Sequence, residues 1–217
     1  MREQLGLKES IKLLRKYGIR FVNHEFVKNK EEAVKSAEKL GYPVVLKVVS
    51  KDIVHKTDVG GLILNIKDKN ELKNAFDTLL MNIRKNVPNA KVESYIVQKM
   101  VKDGYEVIIG GIKDAQFGHC VSFGLGGIYT EIYGDVSFRV VPIAKKDAVG
   151  MIKETKAYRI LSGYRNKPKA DIDALVDALL QVSKLLHENP RIIELDLNPV
   201  FALPRGAIVT DVRIITD

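Results

Sequence analysis

The chain of 217 residues contains one cysteine, Cys120, and no long apolar run. A single cysteine excludes an intramolecular disulfide, and therefore a secreted scaffold held together by cystines. No stretch approaches the roughly 18 apolar residues of a membrane-spanning helix. The N-terminus also lacks the apolar region of a signal peptide. We therefore expect a cytoplasmic protein with no membrane partner.

The chain has no concentrated basic tract, although its formal net charge is +8. Acidic residues lie among the lysines, as in the segment Lys28-Asn29-Lys30-Glu31-Glu32. Basic and aromatic residues do not interleave, and no zinc-ligand spacing occurs. The sequence therefore predicts no nucleic acid as the main partner. A basic surface of this kind equally attracts an anionic nucleotide, a coenzyme or an acidic protein.

Two common nucleotide-binding signatures are also missing. There is no G-x-G-x-x-G after a first strand and no G-x-x-x-x-G-K-[ST], so the sequence indicates neither a Rossmann nor a Walker site. The connections between successive strands are hairpin-like in some places and helical in others. This order favours an α+β fold of two lobes, with a seam near residues 97–103, over a doubly wound sheet.

Apolar periodicity and turn residues predict the secondary structure. Helices are expected over residues 7–17, 30–40, 70–84, 145–154 and 171–187. Strands are expected over residues 20–27, 43–49, 61–66, 92–100, 105–112, 119–124, 136–143, 191–197 and 207–215. We expect an N-terminal helical segment over residues 1–20, a first lobe over 21–97 and a second lobe over 98–217.

Lys47 interrupts an apolar segment, Pro43–Val49, that is predicted to be a buried strand. An unpaired ammonium group is costly to bury, so the side chain needs a destination. In one interpretation it reaches water from a strand end. In the other it faces a cleft and holds phosphate oxygens as a point charge.

A polar loop, Ser50–Gly61, combines His55 with two lysines, two aspartates and a Gly-Gly pair. Most histidines in such loops are only solvated, and glycines before a strand allow a tight turn. In the functional interpretation, a neutral imidazole lies near phosphate. Such an imidazole can act as a nucleophile that carries a phosphoryl group.

A glycine-rich loop, Phe123-Gly124-Leu125-Gly126-Gly127, follows a predicted strand. Such a loop lets main-chain N–H groups approach an anion closely, although the pattern also occurs in ordinary turns. Arg139 lies in the next predicted strand. It is either a salt-bridged strand residue or a second phosphate clamp.

Three oxygen-bearing side chains alternate in Glu194-Leu195-Asp196-Leu197-Asn198-Pro199, which places Glu194, Asp196 and Asn198 on one face of a strand. If this strand forms a hairpin with the last one, Asp211 lies opposite Asn198. Carboxylate and amide oxygens, with phosphate oxygens and water, suit an octahedral Mg²⁺ site. The alternative is a solvated polar face.

Together these motifs resemble an ATP-grasp domain. More closely, they resemble the β subunits of ADP-forming acyl-CoA (acetyl-CoA) synthetases, relatives of the succinyl-CoA synthetase β subunit. The resemblance runs from about Leu7 to the C-terminus, and its most diagnostic segment is His55–Gly61. Lys51 departs from it, because family members commonly have proline there. The resemblance implies an ATP-grasp fold with the nucleotide between two α+β lobes.

The resemblance also implies roles for individual residues. Lys47 contacts the nucleotide phosphates, and the main chain of a hinge over Val97–Val101 contacts adenine. Glu106 either lies near the ribose or supports a residue that contacts the nucleotide. The glycine loop faces the γ-phosphate. The implied cofactor-binding residues are Lys47, Val97, Gln98, Lys99, Met100, Glu106, Gly124, Gly126 and Gly127.

The implied metal ligands are Asn198 and Asp211, which hold Mg²⁺. Asp196 lies beside the transferred phosphate, and Arg139 faces the γ-phosphate. His55 corresponds to the phosphohistidine that relays phosphate from the partner subunit's histidine to ADP.

The resemblance implies that this chain is one of two kinds of subunit in an enzyme. Nothing in the chain resembles the CoA-binding domain or the other catalytic histidine, which in this family lie on an α subunit, so an α₂β₂ complex is expected. The implied activity is that of an acid–thiol ligase, acyl-CoA + ADP + phosphate ⇌ carboxylate + CoA + ATP. Two other functions stay open: a stand-alone carboxylate ligase acting through an acyl phosphate, and a non-catalytic ADP-sensing or assembly subunit.

Overall fold

The structure is a computed structural model that describes residues 2–53, 55–126, 134–165 and 168–217. The strands are β1 (Glu3–Gln4), β2 (His24–Val27), β3 (Val44–Val49), β4 (Leu62–Ile66), β5 (Ser94–Lys99), β6 (Tyr105–Asp114), β7 (Gly118–Leu125), β8 (Val136–Val140), β9 (Ile192–Ala202), β10 (Ala207–Val209) and β11 (Val212–Thr216). The helices are α1 (Leu7–Lys16), α2 (Lys30–Leu40), α3 (Lys69–Asn86), α4 (Lys145–Glu154), α5 (Ala157–Leu161) and α6 (Ile172–Glu188).

These elements form two compact units, Val22–Lys102 and a second unit made of Met1–Phe21 with Asp103–Asp217. The N-terminal segment, expected as a helical segment over residues 1–20, lies in the same unit as the C-terminal part of the chain. The reason is a long-range strand pairing, because β1 pairs antiparallel with β11, where Glu3 lies opposite Thr216.

The smaller unit is a four-stranded sheet in the order β2-β5-β3-β4, with α2 and α3 packed on one face. Side-chain caps set where both helices begin. The side chain of Asn29 accepts a hydrogen bond from the main-chain N–H of Glu32, and that of Asp68 accepts one from the N–H of Glu71. Such caps satisfy N–H groups that have no partner inside the helix. Between helices and sheet lies a core of buried hydrophobic side chains.

The larger unit is built on a sheet in the order β1-β11-β9-β6-β7-β8, with β10 paired to β9. Helices α4 and α6 pack against one face of this sheet. The apolar stripe of α6, which includes Leu175, Leu179 and Val182, is fully buried. Along β9 the leucines face this core, so the polar residues between them lie on the opposite face.

The predicted helices and strands are confirmed with shifted ends. The last predicted strand, 207–215, is split at residues 210–211 into β10 and β11, and the strand predicted to stop at residue 197 continues to Ala202. It continues because β10 supplies a partner, with Val209 opposite Val200. The five-residue helix α5 was not predicted, since one turn is too short to show helical periodicity. No helix within the described ranges is long and apolar enough to cross a membrane.

Candidate nucleotide and phosphoryl-transfer site

Lys47 is the fourth of the six residues of β3, and only 6% of it is exposed. Its strand neighbours Leu46 and Val48 face the apolar core under the helices. Lys47 therefore points to the other face of the sheet, where its cross-strand neighbour on β5 is Ile96. A buried, mid-strand position excludes the interpretation that this lysine reaches water from a strand end.

The predicted hinge, Val97–Val101, forms the end of β5 and the first two residues after it. Gln98 shares a face with Lys47 and is 2% exposed. The main-chain N–H groups of Lys99 and Met100 donate hydrogen bonds to the carbonyls of Asn23 (2.9 Å) and Pro43 (3.1 Å). Because these two N–H groups already have partners, the expected contact with adenine would involve other main-chain groups of the segment.

The side chain of Lys99 lies away from that main chain. Its Nζ donates hydrogen bonds to the carbonyl oxygens of Gly41 (2.7 Å) and Tyr42 (3.1 Å). Gly41 caps the C-terminal end of α2, where cations interact favourably with the free carbonyls. Lys99 therefore ties the hinge strand to this helix within the smaller unit.

The loop that carries His55 is anchored on its N-terminal side. The side chain of Ile53 is 4% exposed and belongs to the apolar core. The Asp52 carboxylate accepts a hydrogen bond from the main-chain N–H of Lys91 at 2.7 Å. His55 itself is exposed.

The C-terminal side of the loop is anchored by the glycine pair. Gly60 has a φ of 67°, which favours glycine, and the N–H of Gly61 donates to the carbonyl of Lys56 at 2.7 Å. A Cβ on Gly61 would lie 2.7 Å from Cγ1 of Val48, so this residue packs directly on β3. Asn82 of α3 donates to the carbonyl of Gly60 at 3.2 Å. The loop therefore exposes an imidazole between two fixed ends.

In the larger unit, the register of β9 with β10 and β11 brings the predicted acidic residues together. Val212 lies opposite Leu197 and Val209 opposite Val200, so Asp211 falls opposite Asn198. Asp196 is two residues before Asn198 on the same face.

Burial raises the pKa of Asp196, and the neighbouring carboxylates Glu194 and Asp211 raise it further, whereas Arg213 lowers it. Arg213 lies directly opposite Asp196, and its Nη1 is 3.3 Å from Oε1 of Glu194. A cation placed between carboxylates that repel one another stabilises their ionised forms. The electrostatics of this face therefore fit a bound metal ion.

The donor set fits Mg²⁺ in particular. The described residues contain no group of three or more His, Cys, Asp or Glu side chains that could hold a metal. Asn198 and Asp211 alone would therefore supply only part of the coordination sphere of a metal ion. Mg²⁺ is commonly held by one or two carboxylates together with water and substrate phosphates, and such partial sets suit it.

The glycine-rich loop is held against β6. The main-chain N–H of Gly126 donates to the carbonyl of Glu106 at 2.8 Å, and a Cβ on Gly126 would lie 3.0 Å from that carbonyl. A Cβ on Gly124 would lie 2.9 Å from the carbonyl oxygen of Asp135. A side chain at position 124 would therefore force the main chain to shift, and one at position 126 would be tightly packed. The third predicted glycine, Gly127, lies outside the residues that the structure describes.

Arg139 on β8 forms an ion pair with Glu154 at the end of α4. The hydroxyl of Ser137 also donates to the Glu154 carboxylate, at 2.9 Å. The hydrogen bond from Arg139 is the main cause of the lowered pKa of Glu154. Arg139 is thus a salt-bridged strand residue in this structure, and it would have to exchange Glu154 for phosphate to act as a clamp.

Two residues of this region were missed in the sequence. Glu154 lies on a helix, 15 residues after the arginine it pairs with, and no local pattern connects the two. Arg213 had a usable signal, because alternation in Asp211-Val212-Arg213 places it on the face of Asp211.

The ATP-grasp domain family matches residues 1–216 of the chain. The β subunit of acetate–CoA ligase (ADP-forming) I from Pyrococcus furiosus is 47% identical over 207 residues, which cover 95% of this chain and 89% of that subunit. Acetate–CoA ligase (ADP-forming) I from Archaeoglobus fulgidus is 48% identical over 207 residues. There the match covers 95% of this chain but only 30% of the relative.

Solved structures of the dinucleotide-forming acetyl-coenzyme A synthetase 1 of Ca. Korarchaeum cryptofilum share this fold. The complex with coenzyme A, Ca-AMPCP and HgCl⁺ has a TM-score of 0.96 at 45% identity, covering 99% of this chain and 94% of that one. A complex with coenzyme A and Mg-AMPPCP, whose phosphohistidine segment points towards the nucleotide-binding site, has a TM-score of 0.85 at 42% identity and covers 99% and 93%. The expected ATP-grasp fold is thereby confirmed. The chain belongs to the ATP-grasp family and, within it, groups with the β subunits of ADP-forming acetate–CoA ligases.

Proposed function

We propose that this chain is the nucleotide-binding β subunit of an ADP-forming acyl-CoA synthetase, which converts acyl-CoA, ADP and phosphate to carboxylate, CoA and ATP. The observation that carries this proposal is the exposed imidazole of His55 on a loop anchored at both ends. The likeness to a β subunit over 95% of the chain supports the same assignment.

The phosphoryl group passes through three carriers in this proposal. On the partner subunit, phosphate displaces CoA from the thioester, and a histidine then takes the phosphoryl group from the acyl phosphate and releases the carboxylate. A ring nitrogen of His55 attacks that phosphorus atom, so that one N–P bond forms as the partner's N–P bond breaks. An oxygen of the ADP β-phosphate finally attacks the phosphorus on His55, which forms ATP and returns the imidazole to its free state.

The protein's other task is to position the phosphates and neutralise their charge. Lys47 supplies a fixed positive charge, and Asp196 lies beside the transferred group. Asn198 and Asp211 would hold Mg²⁺, which when bound would supply positive charge to the polyphosphate.

Other residues of the chain contact the adenine, the ribose and the γ-phosphate of the nucleotide. The main chain of Val97–Met100 contacts adenine, and Glu106 lies near the ribose. Gly124, Gly126 and Arg139 face the γ-phosphate. Support for these roles comes from the resemblance and from the close packing at both glycines.

The relatives imply a separate α subunit as partner. One relative is itself a β subunit of similar length, and in another the matched part makes up 30% of a longer chain. We infer that the partner carries the CoA-binding domain and the second catalytic histidine, in an α₂β₂ complex.

The relay through His55 is tested in the complex assembled with the α subunit. The His55→Asn variant is expected to bind ADP like the wild type but to form ATP only at the background rate. His187→Asn, at an exposed histidine in the last turn of α6, serves as the matched control and should retain full activity. Full turnover by the His55 variant would refute the relay.

A further inference from the structure

Arg213 lies among the acidic residues on the polar face of the larger sheet. It lies directly opposite Asp196 in the register of β9 and β11, where facing Cβ atoms are about 4.5–5.5 Å apart. Asp211 is two residues away on the same face. The Nη1 atom of Arg213 is 3.3 Å from Oε1 of Glu194. One guanidinium group therefore shares this face of the sheet with three carboxylates.

The guanidinium is only partly used by protein acceptors. Its Nε is buried, and among the described residues it has no hydrogen-bond partner. The Nη1 atom pairs with Glu194, whose side chain is 42% exposed. The positive charge of Arg213 thus acts on Asp196 and Asp211 as well as on Glu194.

We propose that Arg213 is a positioning residue of the nucleotide site, which, together with Glu194, balances the charge of the Asp196–Asp211 face so that both the metal ion and the anionic phosphates bind there. This inference rests on the proposed function. With all three acids ionised, the cluster carries two net negative charges, and without Arg213 it would carry three. A more negative face attracts a cation more strongly and repels polyphosphate more strongly.

Opposite effects on the two ligands distinguish this role from a structural one. A variant that only damages the fold weakens the binding of both ligands. Loss of a positive charge instead strengthens metal binding and weakens ADP binding. At roughly 8 Å, and with an effective dielectric close to that of water, Coulomb's law gives about fivefold for a ligand with two charges, such as Mn²⁺ or the terminal phosphate of ADP.

The test uses the full chain and two separate titrations. Mn²⁺ alone is followed by electron paramagnetic resonance, and ADP in the presence of EDTA is followed by calorimetry. For Arg213→Gln we expect the Mn²⁺ dissociation constant to fall about fivefold and that of ADP to rise about fivefold. For Glu194→Gln, both shifts should be reversed in sign. The double variant restores the net charge and should return both constants to within about twofold of the wild type.

Two controls separate charge from packing. Arg213→Lys keeps the charge and should leave both constants within about twofold of the wild type. Arg191→Gln removes an arginine that pairs with Asp217 instead, and should leave both unchanged. A thermal melt reports whether each variant is folded.

The inference is overturned if folded Arg213→Gln binds Mn²⁺ no better than the wild type, or if Arg213→Lys shifts both constants as Arg213→Gln does. Should Arg213→Gln fail to fold, unchanged constants in Glu194→Gln overturn it equally. A wild-type chain that binds neither ligand would refute the proposed nucleotide site and this inference with it. Wild-type binding with unshifted variants would refute this inference alone.

Discussion

Replacing Asp196 by asparagine should stabilise the metal-free protein while abolishing its activity. Burial and two neighbouring carboxylates raise the pKa of Asp196, so the folded state holds its charged form at a cost. The isosteric amide removes that charge. Residues of functional sites are often kept at such a cost to stability.

The size of the effect follows from the strand geometry. Glu194 is two residues away, about 6.6 Å along the strand, and Asp211 is a diagonal neighbour at about 7–8 Å. Each repulsion amounts to about 1–2 kcal/mol at effective dielectrics of roughly 20–40, and attraction by Arg213 offsets about one of them. We therefore expect Asp196→Asn to raise the free energy of unfolding by about 1–2 kcal/mol. For a chain of this size that corresponds to a rise in Tm of about 3–6 °C.

The gain in stability from Asp196→Asn should depend on pH. A carboxyl group whose pKa is raised by folding destabilises the protein above that pKa and has no effect once it is protonated in both states. The gain in Asp196→Asn should therefore be largest near pH 8 and fade as the pH falls towards about 4, the ordinary range of aspartate. Differential scanning calorimetry in EDTA measures it, because a bound cation would reverse the balance.

Asp171 provides a control of opposite sign. Hydrogen bonds from the main-chain N–H groups of Gly206 and Ala174 lower its pKa, and it caps the N-terminus of α6. Asp171→Ala should cost about 1 kcal/mol at neutral pH. That loss should shrink as the pH falls through the lowered pKa, because the capping carboxylate is then neutral in both states. A lower Tm for Asp196→Asn at pH 8, or a gain that persists at pH 4, would refute the reasoning.

Three further substitutions test the local packing, each by thermal or denaturant unfolding. Gly61→Ala places a Cβ 2.7 Å from Val48 and should cost about 1–3 kcal/mol, and a stability equal to the wild type would show that the loop is not packed on β3. Gly150→Ala, whose Cβ would meet atoms only at 3.7 Å or more inside α4, should instead gain up to about 1 kcal/mol. Lys99→Met removes two hydrogen bonds to the end of α2 and should cost about 1–3 kcal/mol, whereas an unchanged midpoint would contradict their role.

Local patterns in the sequence were sufficient to place most helices and strands, because apolar spacing and caps act over a few residues. They also placed the acids on one face of β9 and led to Asp211 opposite Asn198, since strand alternation has a fixed period. Lys47 could be assigned to a strand but not to a face or a depth. Those depend on how the strand pairs and packs.

Pairings between distant residues could not be predicted. The contact of β1 with β11 joins Glu3 to Thr216 across almost the whole chain. The ion pair between Arg139 and Glu154 depends on where α4 crosses the sheet. Neither has a signature in the neighbouring sequence, because each arises from tertiary packing.

The most direct test of the account is transfer of phosphate from ATP to His55. In the complex with the α subunit, Mg²⁺ and ATP labelled in the γ-phosphate should place an acid-labile phosphate on His55, identified by mass spectrometry. Added ADP should remove that label and regenerate ATP, and His55→Asn should take up none on the β chain. An unlabelled His55, or equal labelling of the His55→Asn β chain, would contradict the account.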